Sequence, residues 1–338
     1  MKAALIKKFG EPFAFEDVPD PLPGPGEVLV RVKASALCPG DLKIRAGRNP
    51  ALTLPHIPGH EIAGVVEAVG TGVSARSPGD RVVVYMYDVC KSCPACRSGH
   101  ENLCVRLIRT GFECAGGHAE LVTVKEDQLA LLPETISFTD AAAIPDAICT
   151  SLHAIRDQAQ VRLADTVLIY GVGGLGLHGV QIARLAGCRV IATARSKEKL
   201  DKAREFGAAE TINAREKDLL QETLRLTGGK GVDAVIDYVV SQESFNISAA
   251  ALRKGGVYAL VGSTDQSLSI PVGQTMFKEI NIKGSLGMTR QCVTDAVDLV
   301  RQGLLTPCVT EQYPLTGLNE AAERLAAGKV LGRSVIVF

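Results

Sequence analysis

TVLIYGVGGLGLHGVQIARLAG, residues 166–187, decides the fold. It reads as an apolar strand, a glycine-rich turn and an amphipathic helix that stops at Gly187, and RVIATA (189–194) follows as a second strand. Gly171, Gly173 and Gly176 stand as G-x-G-x-x-G, with Gly174 and Leu175 completing the turn. Glycine clusters alone often mark only turns. Between a strand and a helix in a βαβ unit, they let backbone approach a pyrophosphate at a helix N-terminus, and so predict a dinucleotide cofactor. The cofactor's identity depends on the end of the second strand. An acid there would accept from the ribose 2′-hydroxyl of NAD, but the chain has Ala194 and then Arg195 and Ser196. Without the acid, and with a guanidinium beside the site, NADP(H) is expected over NAD(H).

The same rhythm extends outward. SKEKLDKAREFGA (196–208) reads as a helix, VDAVIDYV (232–239) and GGVYALVG (255–262) as strands, and EINIKGSL (279–286) as an edge strand. Residues 150–287 are therefore expected to form a doubly wound parallel sheet, a Rossmann unit. Residues 1–149 read differently, as short β segments broken by Gly and Pro. Residues 288–338 read as two helices and a closing strand, RSVIVF, that return to the first domain. The 338 residues carry 37 basic and 37 acidic side chains, which leaves no electrostatic footprint for nucleic acid or an anionic membrane. No apolar run approaches the roughly 20 residues of a membrane helix, and the charged start lacks a signal-peptide core. A cytoplasmic protein is expected.

Four of the ten cysteines, Cys90, Cys93, Cys96 and Cys104, fall in CKSCPACRSGHENLC, within a lobe spanning about residues 88–106. The C-x2-C-x2-C-x7-C spacing lets four thiolates converge on one Zn²⁺, and a closed shell of that kind holds structure and does not catalyse. Ferredoxin runs continue with C-P after three residues, whereas seven intervene here and no proline follows. The other cysteines are scattered rather than paired, as suits a reducing compartment.

A catalytic metal would need ligands from elsewhere. Cys38 and His60 are ordinary residues taken singly, and spacing alone does not pair them. Here a resemblance adds to the reading. GPGEVLVRVKASALCPGD, PGHEIAGVVEAVG, the cysteine lobe, GGHAEL, GVGGLGLHGVQIAR and GRSVIVF occur in the order found in the zinc-dependent medium-chain alcohol dehydrogenases, which the whole chain resembles. The resemblance implies a GroES-like, β-rich catalytic domain beside the Rossmann domain, and two zinc ions per chain. It places Cys38, His60 and Asp146 as ligands of a catalytic zinc and Cys90, Cys93, Cys96 and Cys104 around a structural one. Glu61 matches a nearby carboxylate, and Asp41 the acid that orients the ligating histidine. Thr150 matches a residue at the nicotinamide, Val261 and Gly262 backbone at its carboxamide, Arg333 an arginine at the pyrophosphate, and Met86 a wall of the substrate pocket. A small alcohol, aldehyde or ketone substrate and a homodimer or homotetramer follow by the same resemblance.

One position departs from that family. Two residues after the ligating cysteine the family usually carries Ser or Thr, where this chain has Gly40. The segment CPGDLKIRAGR is also similar to the corresponding stretch of zinc-free quinone and enoyl reductases. Two alternatives therefore stand beside the dehydrogenase: an NADPH-dependent quinone or enoyl reductase with only the structural zinc, and a non-catalytic NADPH-binding protein. Gly40 is expected to leave extra room beside the metal.

Overall fold

In the computed structural model, which describes residues 1–49 and 52–338, the chain divides into two units, Met1–Cys149 with Met288–Phe338 and Thr150–Gly287. The unit Thr150–Gly287 is built on a six-stranded parallel sheet. Its spatial order is Glu210–Asn213, Arg189–Ala194, Thr166–Tyr170, Val232–Asp237, Leu252–Leu260 and Asn281–Gly284. Numbered along the chain this is 3-2-1-4-5-6, the doubly wound order that reverses direction beside the first strand. The expected edge strand is indeed at the edge. Central strands such as Thr166–Tyr170 are continuous apolar runs because helices cover both faces of such a sheet. Leu168, Ile191, Val235, Phe245 and Tyr258 pack in its core, with the Phe245 and Tyr258 rings edge to face at 5.2 Å. Asp237, fully buried, accepts from Tyr258 Oη at 2.6 Å and from the backbone N–H groups of Val239 and Val240.

The other unit carries a seven-stranded sheet. Its long strand Glu27–Leu37 pairs antiparallel with Glu61–Val69, Leu121–Lys125 and Arg333–Val337. Register matters here more than strand number. Ala36 lies opposite Glu61, and Leu37 opposite Ser334. Three neighbouring strands thus end or begin at one level, bringing Cys38, the His60–Glu61 pair and Arg333 together. Gly64 permits the tight pairing, since a Cβ there would lie 2.3 Å from the Arg31 carbonyl oxygen. The closing strand Arg333–Val337 sits inside this sheet, between Val309–Pro314 and Glu27–Leu37, although it is the last element of the chain. No helix among the described residues is long and apolar enough to cross a membrane.

The glycine-rich turn follows the first strand of the parallel sheet and opens the helix Gly176–Leu185. Gly171 has φ +91°, and a Cβ on Gly176 would lie 2.2 Å from the Gly171 carbonyl oxygen. A Cβ on Gly173 would meet nothing within 4 Å, which leaves backbone bare at the turn's surface. Gly176→Ala should therefore displace the helix start and weaken binding of a nicotinamide dinucleotide, whether NADH or NADPH, at least about tenfold, a loss of about 1.4 kcal/mol. Fluorescence titration of the variant with NADPH checks this, with far-UV circular dichroism as the control for folding.

Candidate active site

Cys38 ends the long strand and caps the short helix Pro39–Arg45. Its backbone N–H donates to Asp41 Oδ2 at 2.9 Å, and the Gly40 N–H points at its Sγ from 3.4 Å. Asp41 is fully buried and also accepts from the Gly59 N–H at 3.2 Å; its Oδ1 lies 3.1 Å from His60 Nδ1. With Nδ1 committed to Asp41, His60 turns Nε2 toward Asp146 Oδ2 at 3.9 Å and Glu61 Oε1 at 4.0 Å. Asp146 stands on a wide helical turn, Ile144–Ile148, and its Oδ2 is 3.4 Å from Cys38 Sγ. One donor atom each from Cys38, His60, Glu61 and Asp146 lies within 4.8 Å of the others.

The electrostatics show what this cluster lacks. Burial and the adjacent Asp146 carboxylate push the Cys38 thiol up. Burial pushes Glu61 up to about 8 against the pull of Arg333, and its Oε2 is buried without a hydrogen-bond partner. Burial alone would raise Asp41 as well, but the charge and hydrogen bond of His60, with His118 close by, hold its carboxylate far below the usual range. A thiol, an imidazole nitrogen and two carboxylates, buried together and partly denied ionisation, form a donor set that a divalent cation would complete. The donors present fit zinc.

Arg333 is the buried counter-charge. Only 2% exposed, its Nη2 lies 2.7 Å from Glu61 Oε1 and donates to Asp146 Oδ2 at 2.9 Å. The family resemblance gives this arginine to the pyrophosphate; the structure places its guanidinium on the two carboxylates of the metal cluster. Strand register explains the placement, and the sequence motif around Arg333 carried no sign of it.

Gly40 does not leave extra room. A Cβ there would meet Phe112 Cζ at 3.2 Å, His60 Cε1 at 3.3 Å and Cys38 Sγ at 3.6 Å. The ring of Phe112 leans on the His60 imidazole, centroids 4.7 Å apart. A bulky residue on a distant loop thus takes the space that local sequence suggested was open. His118 was also missed, although GGHAEL was singled out. Wholly buried, its Nδ1 is 3.1 Å from Ser35 Oγ and its Nε2 3.8 Å from Asp41. Met86 is buried, and its carbonyl accepts from the Thr110 N–H.

The cysteine lobe is equally ordered. The sulfur atoms of Cys90, Cys93, Cys96 and Cys104 lie within 4.8 Å of one another. Backbone N–H groups of Cys90 and Arg106 donate to Cys104 Sγ, and that of Cys93 to Cys90 Sγ. Backbone N–H groups of Ser92 and Cys93 bring Cys90 down to about 5. These four sulfurs fit a closed tetrahedral metal shell.

In the parallel-sheet unit, Val261 and Gly262 follow the strand Leu252–Leu260, and their N–H groups both donate to the Asp237 carbonyl. Thr150 is buried at the unit's start. Arg195 is exposed at the end of Arg189–Ala194, and no ion pair joins it to a described acid. Burial, and then the charge of Arg195, lower the pKa of Lys199, so the two cations share one region. Ser196 precedes the helix Lys197–Glu205, and its hydroxyl makes no capping bond.

A family model described as alcohol dehydrogenase GroES-like domain matches residues 24–134, and one described as zinc-binding dehydrogenase matches residues 174–302. An alcohol dehydrogenase of Geobacillus stearothermophilus is 36% identical, covering 99% of this chain and 99% of its own. An acryloyl-coenzyme A reductase of Metallosphaera sedula is 30% identical, covering 98% of this chain and 99% of its own. The crystal structure of an NAD-dependent alcohol dehydrogenase superposes with a TM-score of 0.95 at 36% identity, over the whole of both chains.

The contacts of Asp41 generate a prediction. Asp41→Asn removes the charge that orients His60 and leaves an amide unable to accept from all its present donors. Metal affinity of the Cys38 cluster should fall about 10–100-fold. Titration with Co²⁺, whose absorption reports thiolate ligation, checks this while the cysteine lobe serves as internal reference.

Proposed function

This chain belongs to the zinc-dependent medium-chain alcohol dehydrogenases, and we propose that it interconverts a small alcohol and its carbonyl compound using a catalytic zinc and NADP(H). The convergence of Cys38 Sγ, His60 Nε2 and the Asp146 carboxylate carries the reading. Bound there, Zn²⁺ would supply Lewis acidity toward the alcohol or carbonyl oxygen, and the nicotinamide would accept or give the hydride. Cys38, His60 and Asp146 would hold the ion, and a zinc with three protein ligands would keep a position open to substrate. Asp41 holds His60 in the tautomer that presents Nε2, and Arg333 balances the buried charge of Glu61 and Asp146. Gly40 offers no hydroxyl to the substrate's O–H. Cys90, Cys93, Cys96 and Cys104 would hold a second zinc, whose closed four-thiolate shell would make it structural.

Elemental analysis should find two zinc ions per fully loaded chain. Asp146→Ala should keep the lobe zinc, the fold and NADPH binding while turnover falls about 10²-fold or more, the scale of losing one Lewis-acid or oxyanion contact. Full turnover in that variant would remove Asp146 from the ligand set.

The coenzyme preference rests on Arg195, exposed at the strand end where an NAD enzyme would carry an acid. Relatives are named for either coenzyme, an NAD-dependent alcohol dehydrogenase and an NADP(+)-dependent D-arabinose 1-dehydrogenase among them, and Arg195 favours the second. A charge-assisted contact with the 2′-phosphate contributes about 1.5–3 kcal/mol. Arg195→Ala should then weaken NADPH roughly ten- to hundredfold and barely affect NADH. Equal loss of both in binding titrations would assign Arg195 to the helix start instead.

A second reading has one observation of its own. The resemblance to an acryloyl-coenzyme A reductase, with Gly40 in place of a hydroxyl residue, favours an enoyl reductase that keeps zinc only in the lobe. One zinc per chain, with turnover of conjugated enones and none of alcohols, would select it.

A further inference from the structure

We propose that Phe112 is the specificity-determining residue of the metal site, its ring taking the place of a side chain at residue 40 and limiting the width of the substrate group beside the reacting carbon. The proposal deepens the dehydrogenase reading and rests on it.

Two contacts fix the ring. On one side it leans on His60, with ring centroids 4.7 Å apart and planes at 49°. The Arg109 guanidinium covers it at 4.4 Å from the centroid and is itself ion-paired with Glu113. Its Cζ reaches to 3.2 Å from where a Cβ on residue 40 would stand. The loop beneath it is pressed onto the backbone that leads into His60. A Cβ on Gly111 or Gly116 would lie 2.5 Å or 2.2 Å from the Gly59 carbonyl oxygen, and Gly111 has φ +82°. Without Cβ atoms at Gly111 and Gly116, the loop comes close enough for Phe112 to touch a metal ligand.

Two consequences follow from the chemistry. A phenyl ring beside the ligands presents an apolar, flat wall where a hydroxyl side chain would offer a donor. Clamped between a cation and an imidazole, it yields little, so wide branched groups collide with it while narrow or planar groups lie along it. Residues 40 and 112 are then a coupled pair, small beside large. The effect of a change at one therefore depends on the residue at the other.

A double-mutant cycle tests this with two readouts. Purified wild type, Phe112→Ala, Phe112→Leu, Gly40→Ala and Gly40→Ala/Phe112→Ala are assayed over alcohols and ketones of increasing width. The same proteins are melted without added metal. Phe112→Ala should raise the kcat/KM ratio of wide to narrow substrates at least about tenfold, on the scale of one or more methylenes in a pocket, with Phe112→Leu between it and wild type. Gly40→Ala should be better tolerated with Ala at 112 than with Phe, by about 2 °C or more in melting midpoint. Alanine's helix propensity enters both backgrounds and cancels. An unchanged width ratio in a folded, active Phe112→Ala protein overturns the proposal, as does a Gly40→Ala shift identical in both backgrounds. Wild type that turns over no alcohol or carbonyl compound overturns the dehydrogenase reading instead, while the melting cycle still decides whether the two positions are coupled.

Discussion

One buried carboxylate organises the cluster of Cys38, His60, Glu61 and Asp146. Asp41 accepts from the backbone of Cys38 and Gly59, lies 3.1 Å from His60 Nδ1 and has His118 Nε2 at 3.8 Å. It therefore ties the end of one strand to the start of its neighbour and sets the ring orientation of a ligand. An ionised carboxylate with so many donors can remain buried, whereas one with fewer would take up a proton or stay in water. Everything that follows at the site, from the free Nε2 of His60 to its approach to Asp146, depends on that anchor.

The charges around it form a balanced but unfinished set. Glu61 and Asp146 share the guanidinium of Arg333, the Cys38 thiol is pushed up, and Glu61 Oε2 has no hydrogen-bond partner. Taking one acid from such a cluster leaves the others uncompensated, which is why replacing a buried charged partner is costly. A divalent cation bound there would relieve this by allowing thiol and carboxylate to ionise together, which would couple metal binding to the cluster's stability.

Parts of this were legible in the chain. The glycine turn at residues 171–176 and the four cysteines at 90–104 were readable because each is a local pattern whose spacing carries its geometry. Cys38, His60 and Asp146 lie far apart in sequence, and only the family resemblance linked them. Phe112 was invisible because its contact with residue 40 is made across 72 positions by a loop whose approach depends on missing Cβ atoms at Gly111 and Gly116. Reading Gly40 as open space failed for that reason: an absent side chain says nothing about who fills the gap. His118, and the contacts of Arg333 with Glu61 and Asp146, were missed because strand register, which no local motif encodes, decides what they face.

The claim at the centre of this account is that Cys38, His60 and Asp146 hold a metal ion. A crystal structure of the zinc-loaded protein, with anomalous scattering measured on both sides of the zinc edge, tests it directly. The account predicts two peaks per chain, one within the cysteine lobe and one bonded to Cys38 Sγ, His60 Nε2 and an Asp146 carboxylate oxygen at about 2.0–2.3 Å. A single peak in the lobe, with Arg333 still bridging Glu61 and Asp146 in the fully loaded protein, would contradict it.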